Sequence, residues 1–270
     1  MARNGNNPIY IPQGRAFEYA RYACNFYVGC SNDCDYCYCK RGVLAKAMGK
    51  PYPTLKKCFV DEQDAFNRFK ENVKRFLPEL RANGLFFTFT SDPMLVETRD
   101  LHWKAALHAV EQGINVKILT KRADFIEHLE LERLSDDVRK RIAWGFTLTG
   151  FDNREPHAST NAERIAAMKR LHDMGFKTFA SIEPVIIPLR SLNCIMQTRD
   201  FCDLYKIGLM SGHKDYTRTE VEAFIKQAND VIDMAGGRVY WKESVSEFVG
   251  YPIECSCGVS ADYDMFAEEE

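Results

Sequence analysis

The sequence predicts an α/β fold built on a mainly parallel sheet, and three observations carry that expectation. Short apolar, β-branched and aromatic runs alternate with amphipathic stretches of helical period along nearly the whole chain, as strand–helix units do. At 270 residues with 46% hydrophobic content the chain is long enough for one large domain, and no linker divides it. A run of cysteines follows the first strand directly, the place where parallel α/β barrels carry their chemistry.

Taken in order, residues 1–24 are polar and irregular, with Pro8, Pro12 and Gly14 as breakers. Residues 25–28 read as a short buried strand ending at Gly29. Beyond Pro51 and Pro53, Asp61 caps a helix with Phe66, Phe69, Val73, Phe76, Leu77 and Leu80 at helical spacing, ended by Asn83-Gly84. Strand 85–90, helix 98–112 and strand 116–120 follow, then helical segments at 125–134 and 136–141 and strand 142–148. Helix 162–174 leads through Gly175 to strand 178–182, and helix 192–201 to strand 205–209. Thr217 to Glu220 is a capping box opening a helix to about Met234, and strand 238–241 completes six strands plus one. The expected division is an N-terminal extension (1–24), a core (25–245) and a C-terminal tail (246–270) whose Glu268-Glu269-Glu270 end is disordered.

Composition narrows the setting. No apolar run reaches membrane-spanning length, and the first eight residues lack the apolar core of a signal peptide, so a cytoplasmic protein with no membrane partner is expected. Ten cysteines in a chain with its own core read as reduced thiols rather than a disulfide framework. A net charge of −2 makes no strong electrostatic case for nucleic acid.

The segment Cys30-Ser31-Asn32-Asp33-Cys34-Asp35-Tyr36-Cys37-Tyr38 is a C-x3-C-x2-C run. Three thiolates this close on one loop, with no obvious fourth, suit an iron–sulfur cluster with one iron left open to an exogenous ligand. The alternatives are a zinc site completed by Cys255 and Cys257, or by Cys39 and Cys24, and ordinary buried cysteines. Cys39 itself reads as a stray ligand, a hydrogen donor or a packed residue, while Cys24, Cys58, Cys194 and Cys202 sit singly among apolar neighbours. Cys255-Ser256-Cys257 is a ligand pair, a redox pair or a packed pair. His102, His108, His128 and His172 fall on helical segments, whereas His157 and His213 follow strand ends; Arg154 is an anion holder or an ion-pair partner.

The cysteine run, with Tyr36 before its last member, resembles the signature of the radical S-adenosylmethionine (radical SAM) superfamily. The resemblance implies a [4Fe-4S] cluster on Cys30, Cys34 and Cys37, S-adenosylmethionine on the open iron, and reductive cleavage of that cofactor to a 5′-deoxyadenosyl radical. It also implies a reductant such as flavodoxin or ferredoxin. Periodicity does not separate an open sheet from a barrel; the resemblance selects a partial (β/α)6 TIM-type barrel.

Later fragments resemble the spore photoproduct lyase-like branch: Cys34-Asp35-Tyr36-Cys37-Tyr38, Thr90-Ser91-Asp92, Thr120-Lys121, Arg154-Glu155-Pro156-His157-Ala158-Ser159 with Glu163-Arg164, and Glu183-Pro184. This implies that Ser91 and Asp92 meet the amino group or ribose of the cofactor, that Lys121 meets its carboxylate or ribose, and that Tyr36 and Tyr38 frame adenine or substrate. Thr147 and Glu183 are further cofactor-binding candidates. The implied substrate is a nucleic acid or nucleotide, against modification of a peptide or small metabolite, or a non-enzymatic zinc-stabilised binding module. One departure matters: the lyase's hydrogen-donating cysteine has Phe89 in its place here, which leaves Tyr38 and Cys39 as catalytic donor candidates.

Overall fold

The computed structural model describes residues 7–42, 45–212 and 215–267, so His213 and the Glu268–Glu270 end lie outside the described residues. Ten strands are formed among them: β1 (Ile9–Tyr10), β2 (Ala23–Cys24), β3 (Tyr27–Val28), β4 (Thr54–Leu55), β5 (Leu85–Phe87), β6 (Val116–Thr120), β7 (Ile142–Thr147), β8 (Lys177–Val185), β9 (Leu204–Leu209) and β10 (Arg238–Trp241). Eight of them make one sheet in the order β1-β2-β5-β6-β7-β8-β9-β10, while β3 and β4 pair separately and antiparallel. From β2 to β10 every neighbour is parallel; only β1 at the edge runs antiparallel. The expected α/β fold with a mainly parallel, barrel-type sheet is therefore present, with β2 and β5–β9 as its six strands and β10 as the seventh.

Strand residues alternate between two cores, as the two-residue side-chain period requires. Phe86, Ala143, Phe179 and Leu204 pack on one face with Tyr19 and Met265, whereas Phe87, Trp144, Ala180 and Tyr205 belong to the larger core shared with the helices. Those helices include α2 (Glu62–Arg75), α3 (Leu77–Asn83), α4 (Arg99–Glu111), α6 (Asn161–Asp173), α7 (Pro188–Thr198), α8 (Arg218–Met234) and α9 (Glu243–Val249), with two single-turn segments, α1 (Ala45–Met48) and α5 (Asp136–Arg139). The capping box at Thr217 and Glu220 is formed, and a second one joins Thr160 to Glu163 at the start of α6.

Three departures from the sequence reading have physical causes. The helix expected after Asp61 is broken at Phe76, because Pro78 lacks the N–H that a continuous helix would use and its ring clashes with the preceding turn. The strand expected at 25–28 is displaced: Asn25 Oδ1 accepts from the Phe89 N–H at 2.9 Å and Asn25 Nδ2 donates to the Tyr10 hydroxyl at 2.8 Å. A side chain thus takes the partner strand's donor and ends the β2–β5 ladder at Cys24, which frees Tyr27–Val28 to pair with β4. The third departure is the N-terminal stretch, which is not irregular throughout. β1 pairs with β2, and the 3-10 turn Gly14–Glu18 crosses toward the opposite sheet edge. There Glu18 accepts from the Tyr240 hydroxyl at 3.2 Å and the Glu243 N–H at 2.9 Å, and Arg15 pairs with Glu247 at 2.7 Å. The first and last strands of the open barrel are bridged by this turn. The C-terminal stretch also contributes to the barrel, since Val259, Tyr263, Met265 and Phe266 pack into the inner core.

The same packing gives a pH prediction. His102 on α4 is 1% exposed, donates from Nδ1 to the Thr98 carbonyl at 2.9 Å, and leaves Nε2 without a partner. The rings of Phe26, Tyr27 and Phe87 surround it. Burial outweighs the help that the Thr98 and Pro93 carbonyls would give a charged ring, and pulls the imidazole pKa down to about 4. The unfolded histidine titrates near 6.5, so between those values the unfolded chain binds a proton that the folded chain refuses. Stability from neutral His102 is complete above about pH 6.5 and is lost as pH falls toward 4, by on the order of 3 kcal/mol. Urea unfolding at about pH 7.5 and about pH 4.5 should show a smaller acid loss in His102→Leu than in wild type; equal losses would assign the acid sensitivity elsewhere.

Candidate active site

The cysteine loop begins where β3 ends. Gly29 turns the chain with φ +89°, and a Cβ there would stand 2.3 Å from the Tyr52 carbonyl oxygen, so only glycine fits. The loop is then pinned from several sides. Gly29 N–H donates to the Thr90 carbonyl at 3.0 Å, Cys30 N–H to Lys50 at 3.1 Å, and Asp35 N–H to Arg154 at 3.1 Å. Arg154 Nε in turn reaches both Asp35 carboxylate oxygens at 2.8 and 3.0 Å, so this arginine is an ion-pair partner rather than a free anion holder. His157 N–H donates to the Asn32 carbonyl at 3.3 Å.

Two buried polar hubs fix the loop to the strand ends. The first is Asp92, 6% exposed, whose carboxylate accepts from Asn32 Nδ2 (2.8 Å), Met94 N–H (3.0 Å), Thr120 Oγ1 (2.6 Å) and Lys121 N–H (2.8 Å). It joins the cysteine loop to the ends of β5 and β6. The second is the Glu155–Arg164 ion pair, both side chains fully buried. Tyr36 donates its hydroxyl to Glu155, and Arg164 Nη1 donates to the Thr147 carbonyl at 2.6 Å, which joins the loop to β7 and α6. Thr147 therefore meets this hub through its backbone. Burial, reinforced by Glu155, holds the Tyr36 phenol well above its ordinary pKa.

Lys121 projects beside this assembly, its ammonium 5.7 Å from the Tyr36 ring centre. Burial opposes its charge, but the neighbouring Cys34 and Glu155 outweigh burial and raise its pKa. Burial pushes the Cys30 thiol up to about 12 and also raises Cys34, while a hydrogen bond from Cys39 brings Cys37 down to about 6. Tyr38, 56% exposed, donates its hydroxyl to the Phe89 carbonyl, and Cys39 Sγ lies 3.8 Å from the same oxygen.

Glu183 stands apart from these contacts. At the end of β8 it accepts from Tyr19 at 2.7 Å and from Lys242 at 2.6 Å, and Lys242 also reaches Glu18 at 3.3 Å. Tyr19, Glu18 and Lys242 form this interior ion cluster with long-range partners, and none of the three carried a signal in the sequence. Asn32 and the pairing of Glu155 with Arg164 were also missed as site features, although Glu155 and Arg164 lie in motifs that the sequence displays.

The residues present fit an iron–sulfur cluster with a small polar cofactor beside it. Three thiols share one pinned loop, and two buried oxygens next to it, Ser91 Oγ and Asn32 Oδ1, have no hydrogen-bond partner in the fold. Such orphaned acceptors suit an ammonium group. Among the described residues no three Cys, His, Asp or Glu side chains converge on one point, as a single zinc ion would require. A four-iron cluster binds each thiolate through a separate iron and needs no such convergence. Cys24 and Cys202 are buried in the larger core shared with the helices.

A barrel-type parallel sheet with a three-cysteine loop at its strand ends defines a cluster-bearing α/β enzyme. The family model of the Radical SAM superfamily matches residues 24–202, and the chain belongs to that superfamily. It is accordingly a radical SAM enzyme, with a [4Fe-4S] cluster and S-adenosylmethionine as its cofactors, which replaces the zinc-module alternative. An uncharacterized protein of Methanocaldococcus jannaschii is 26% identical over 212 residues, covering 76% of this chain and 73% of the relative. Among solved structures, spore photoproduct lyase complexed with dinucleoside spore photoproduct is similar in fold, with TM-score 0.63 and 16% identity over 86% of this chain and 80% of that one. A double mutant of the lyase with bound AdoMet and dinucleoside spore photoproduct aligns with TM-score 0.56 and 15% identity over 85% and 74% of the two chains.

Proposed function

We propose that this enzyme acts on a nucleotide or nucleic acid substrate in a reaction of the spore photoproduct lyase kind, with the hydrogen donor moved from residue 89 to the cysteine loop. The observation that carries this reading is the meeting of Tyr38 and Cys39 at the backbone of Phe89. The lyase pattern has a cysteine at that position, and phenylalanine has no transferable hydrogen atom.

When bound, the cluster and S-adenosylmethionine supply a radical able to remove a hydrogen atom from substrate. The chain's own residues do the rest. Cys30, Cys34 and Cys37 are the proposed cluster ligands. Ser91 Oγ and Asn32 Oδ1 receive the cofactor's amino group, and Lys121 holds its carboxylate. Asp92 has four internal donors, so its part is to position Asn32 and Lys121 rather than to touch the cofactor. Tyr36, tied to Glu155, holds the loop, and the exposed Tyr38 ring offers substrate a stacking face and a hydroxyl hydrogen. Thr147 meets Arg164 through its carbonyl and Glu183 is engaged by Tyr19 and Lys242, so any part these two cofactor-binding candidates have in holding the cofactor is through those neighbours. A ferredoxin or flavodoxin is the proposed electron donor, and the cytoplasm the proposed compartment. The bridging turn Gly14–Glu18 favours a small substrate, a dinucleotide over a duplex, because it closes the side of the barrel.

Turnover of dinucleoside spore photoproduct in D2O tests this reading. Phenol and thiol hydrogens exchange with solvent, so product from wild type should carry deuterium, and Tyr38→Phe with Cys39→Ala should cut product formation by about a hundredfold, the scale of a lost proton- or hydrogen-transfer group. Cofactor cleavage without conversion of any dinucleoside substrate would assign the enzyme to another substrate class, and product free of deuterium would place the donor elsewhere.

A further inference from the structure

Cys255 and Cys257 remain outside the active site. Their backbone is clamped to β10: Val239 N–H donates to the Cys257 carbonyl at 2.9 Å, and Val259 N–H donates to the Val239 carbonyl at 2.9 Å. Gly258 pairs with Val239 near the start of β10, toward the end of the strand away from Lys242. Between the clamps, Gly258 N–H closes a turn onto the Cys255 carbonyl at 3.0 Å, which carries the two side chains to the same side. Their sulfurs lie 3.8 Å apart, with the Cys257 thiol donating to Cys255. A Cβ on residue 258 would stand 3.1 Å from the Cys255 sulfur, so glycine preserves this approach.

The two thiols differ in access. Cys257 is 0% exposed, between β10 and the Asn229 carbonyl of α8. Cys255 is half-buried and lines an open cleft of about 300 Å³ with Trp241, Ile253 and Glu254. Among the described residues no third Cys, His, Asp or Glu joins the pair, so it lacks the ligand set of a metal centre.

We propose that Cys255 and Cys257 form a second site, a redox-active dithiol that exchanges with small linear disulfides entering the cleft. An accessible sulfur that accepts a hydrogen bond, backed by a buried thiol within reach, has the division of labour that exchange requires. The Cys255 thiolate attacks one sulfur of a disulfide RSSR, forms the mixed disulfide and releases RS⁻. The Cys257 thiol then passes its proton to that thiolate and attacks the Cys255 sulfur, which forms the Cys255–Cys257 bond and expels the second RS⁻, protonated by solvent. Two protein thiols are oxidised by two electrons, and one RSSR becomes two RSH. The sulfurs close from 3.8 Å to roughly 2 Å by side-chain rotation. Burial pushes the Cys257 thiol up to about 12, which keeps it protonated and out of the first step. In a reducing compartment such bonds are transient, in keeping with an exchange site rather than a structural staple.

The site is independent of what the barrel binds, and its test reads the thiols directly. The cluster-loaded full chain is equilibrated anaerobically with mixtures of reduced and oxidised glutathione, quenched with acid, alkylated, digested and analysed by mass spectrometry. The peptide holding both cysteines should lose two hydrogens and escape alkylation as the oxidised fraction rises. Cys257→Ser should trap glutathione on Cys255, and Cys255→Ser should leave Cys257 unmodified. Thiols that stay reduced across the whole range, or glutathione captured equally at Cys257, would overturn the proposal. Iron loss from a Cys255→Ser, Cys257→Ser double variant would overturn it too, by making the pair a ligand set.

Discussion

Replacing Cys34 by alanine should abolish cofactor cleavage while leaving the fold intact. Cys34 is 7% exposed at the centre of the loop, between Cys30 and Cys37, whereas the neighbouring Cys39 is turned to the Phe89 carbonyl. Removing a group that only orients a metal ligand costs about 10- to 100-fold, so removing a ligand itself should lower 5′-deoxyadenosine formation by more than roughly a hundredfold. Iron after anaerobic reconstitution should fall from about four per chain to a small fraction of that. Far-UV circular dichroism should not change, because the side chain contributes little to the core. Cys202→Ala is the matched control, a cysteine buried in the outer core, and it should keep its iron and its activity. Full iron in Cys34→Ala, or equal iron loss in both variants, would remove the cysteine loop from the chemistry.

The difference between those two cysteines was legible in the sequence because ligand spacing is local. Three thiols within eight residues have the spacing of a chelating loop, whereas Cys202 is isolated. Locality explains the fold in the same way. β6 and β10 match the sequence reading to the residue, since an alternating run bounded by turn residues is its own signal. The N-terminal turn was illegible because its role is made by partners more than two hundred residues away, Glu18 with Tyr240 and Glu243, and no pattern within 14–18 announces them. Of the strand read at 25–28 only Tyr27–Val28 is strand, and it pairs with β4 outside the barrel. The decision rests on one asparagine amide that captures the Phe89 N–H.

The site divides along the same line. Ser91, Asp92 and Lys121 were legible as residue types at strand ends, but the four donors around Asp92 are a tertiary fact. They are the basis for the proposal that Asp92 positions Asn32 and Lys121. Glu183 illustrates the reverse case. Its place at the end of β8 was legible, and its engagement by Tyr19 and Lys242 was not, because Tyr19 arrives from the N-terminal segment and Lys242 from the last strand.

Arg164→Ala should be the most destabilising single substitution near the site. Its guanidinium, 0% exposed, satisfies the Thr147 carbonyl at 2.6 Å and the buried Glu155 carboxylate, and Asp152 stands 3.8 Å away. Truncation would leave Glu155 charged and buried with Tyr36 as its remaining donor, a loss of about 3–5 kcal/mol for breaking a buried pair. For a chain of this size that lowers Tm by roughly 10 °C. Removing both charges together, as Glu155→Gln with Arg164→Met, should recover part of the loss, because no uncompensated charge remains. A double variant that loses the sum of the two single losses would show that the residues act separately. The pair also holds Tyr36, so Arg164→Ala should release iron at temperatures where circular dichroism still reports a folded barrel. Retention of iron up to the unfolding transition would mean that Asp92 and the loop's backbone bonds hold the cysteines without help from this pair.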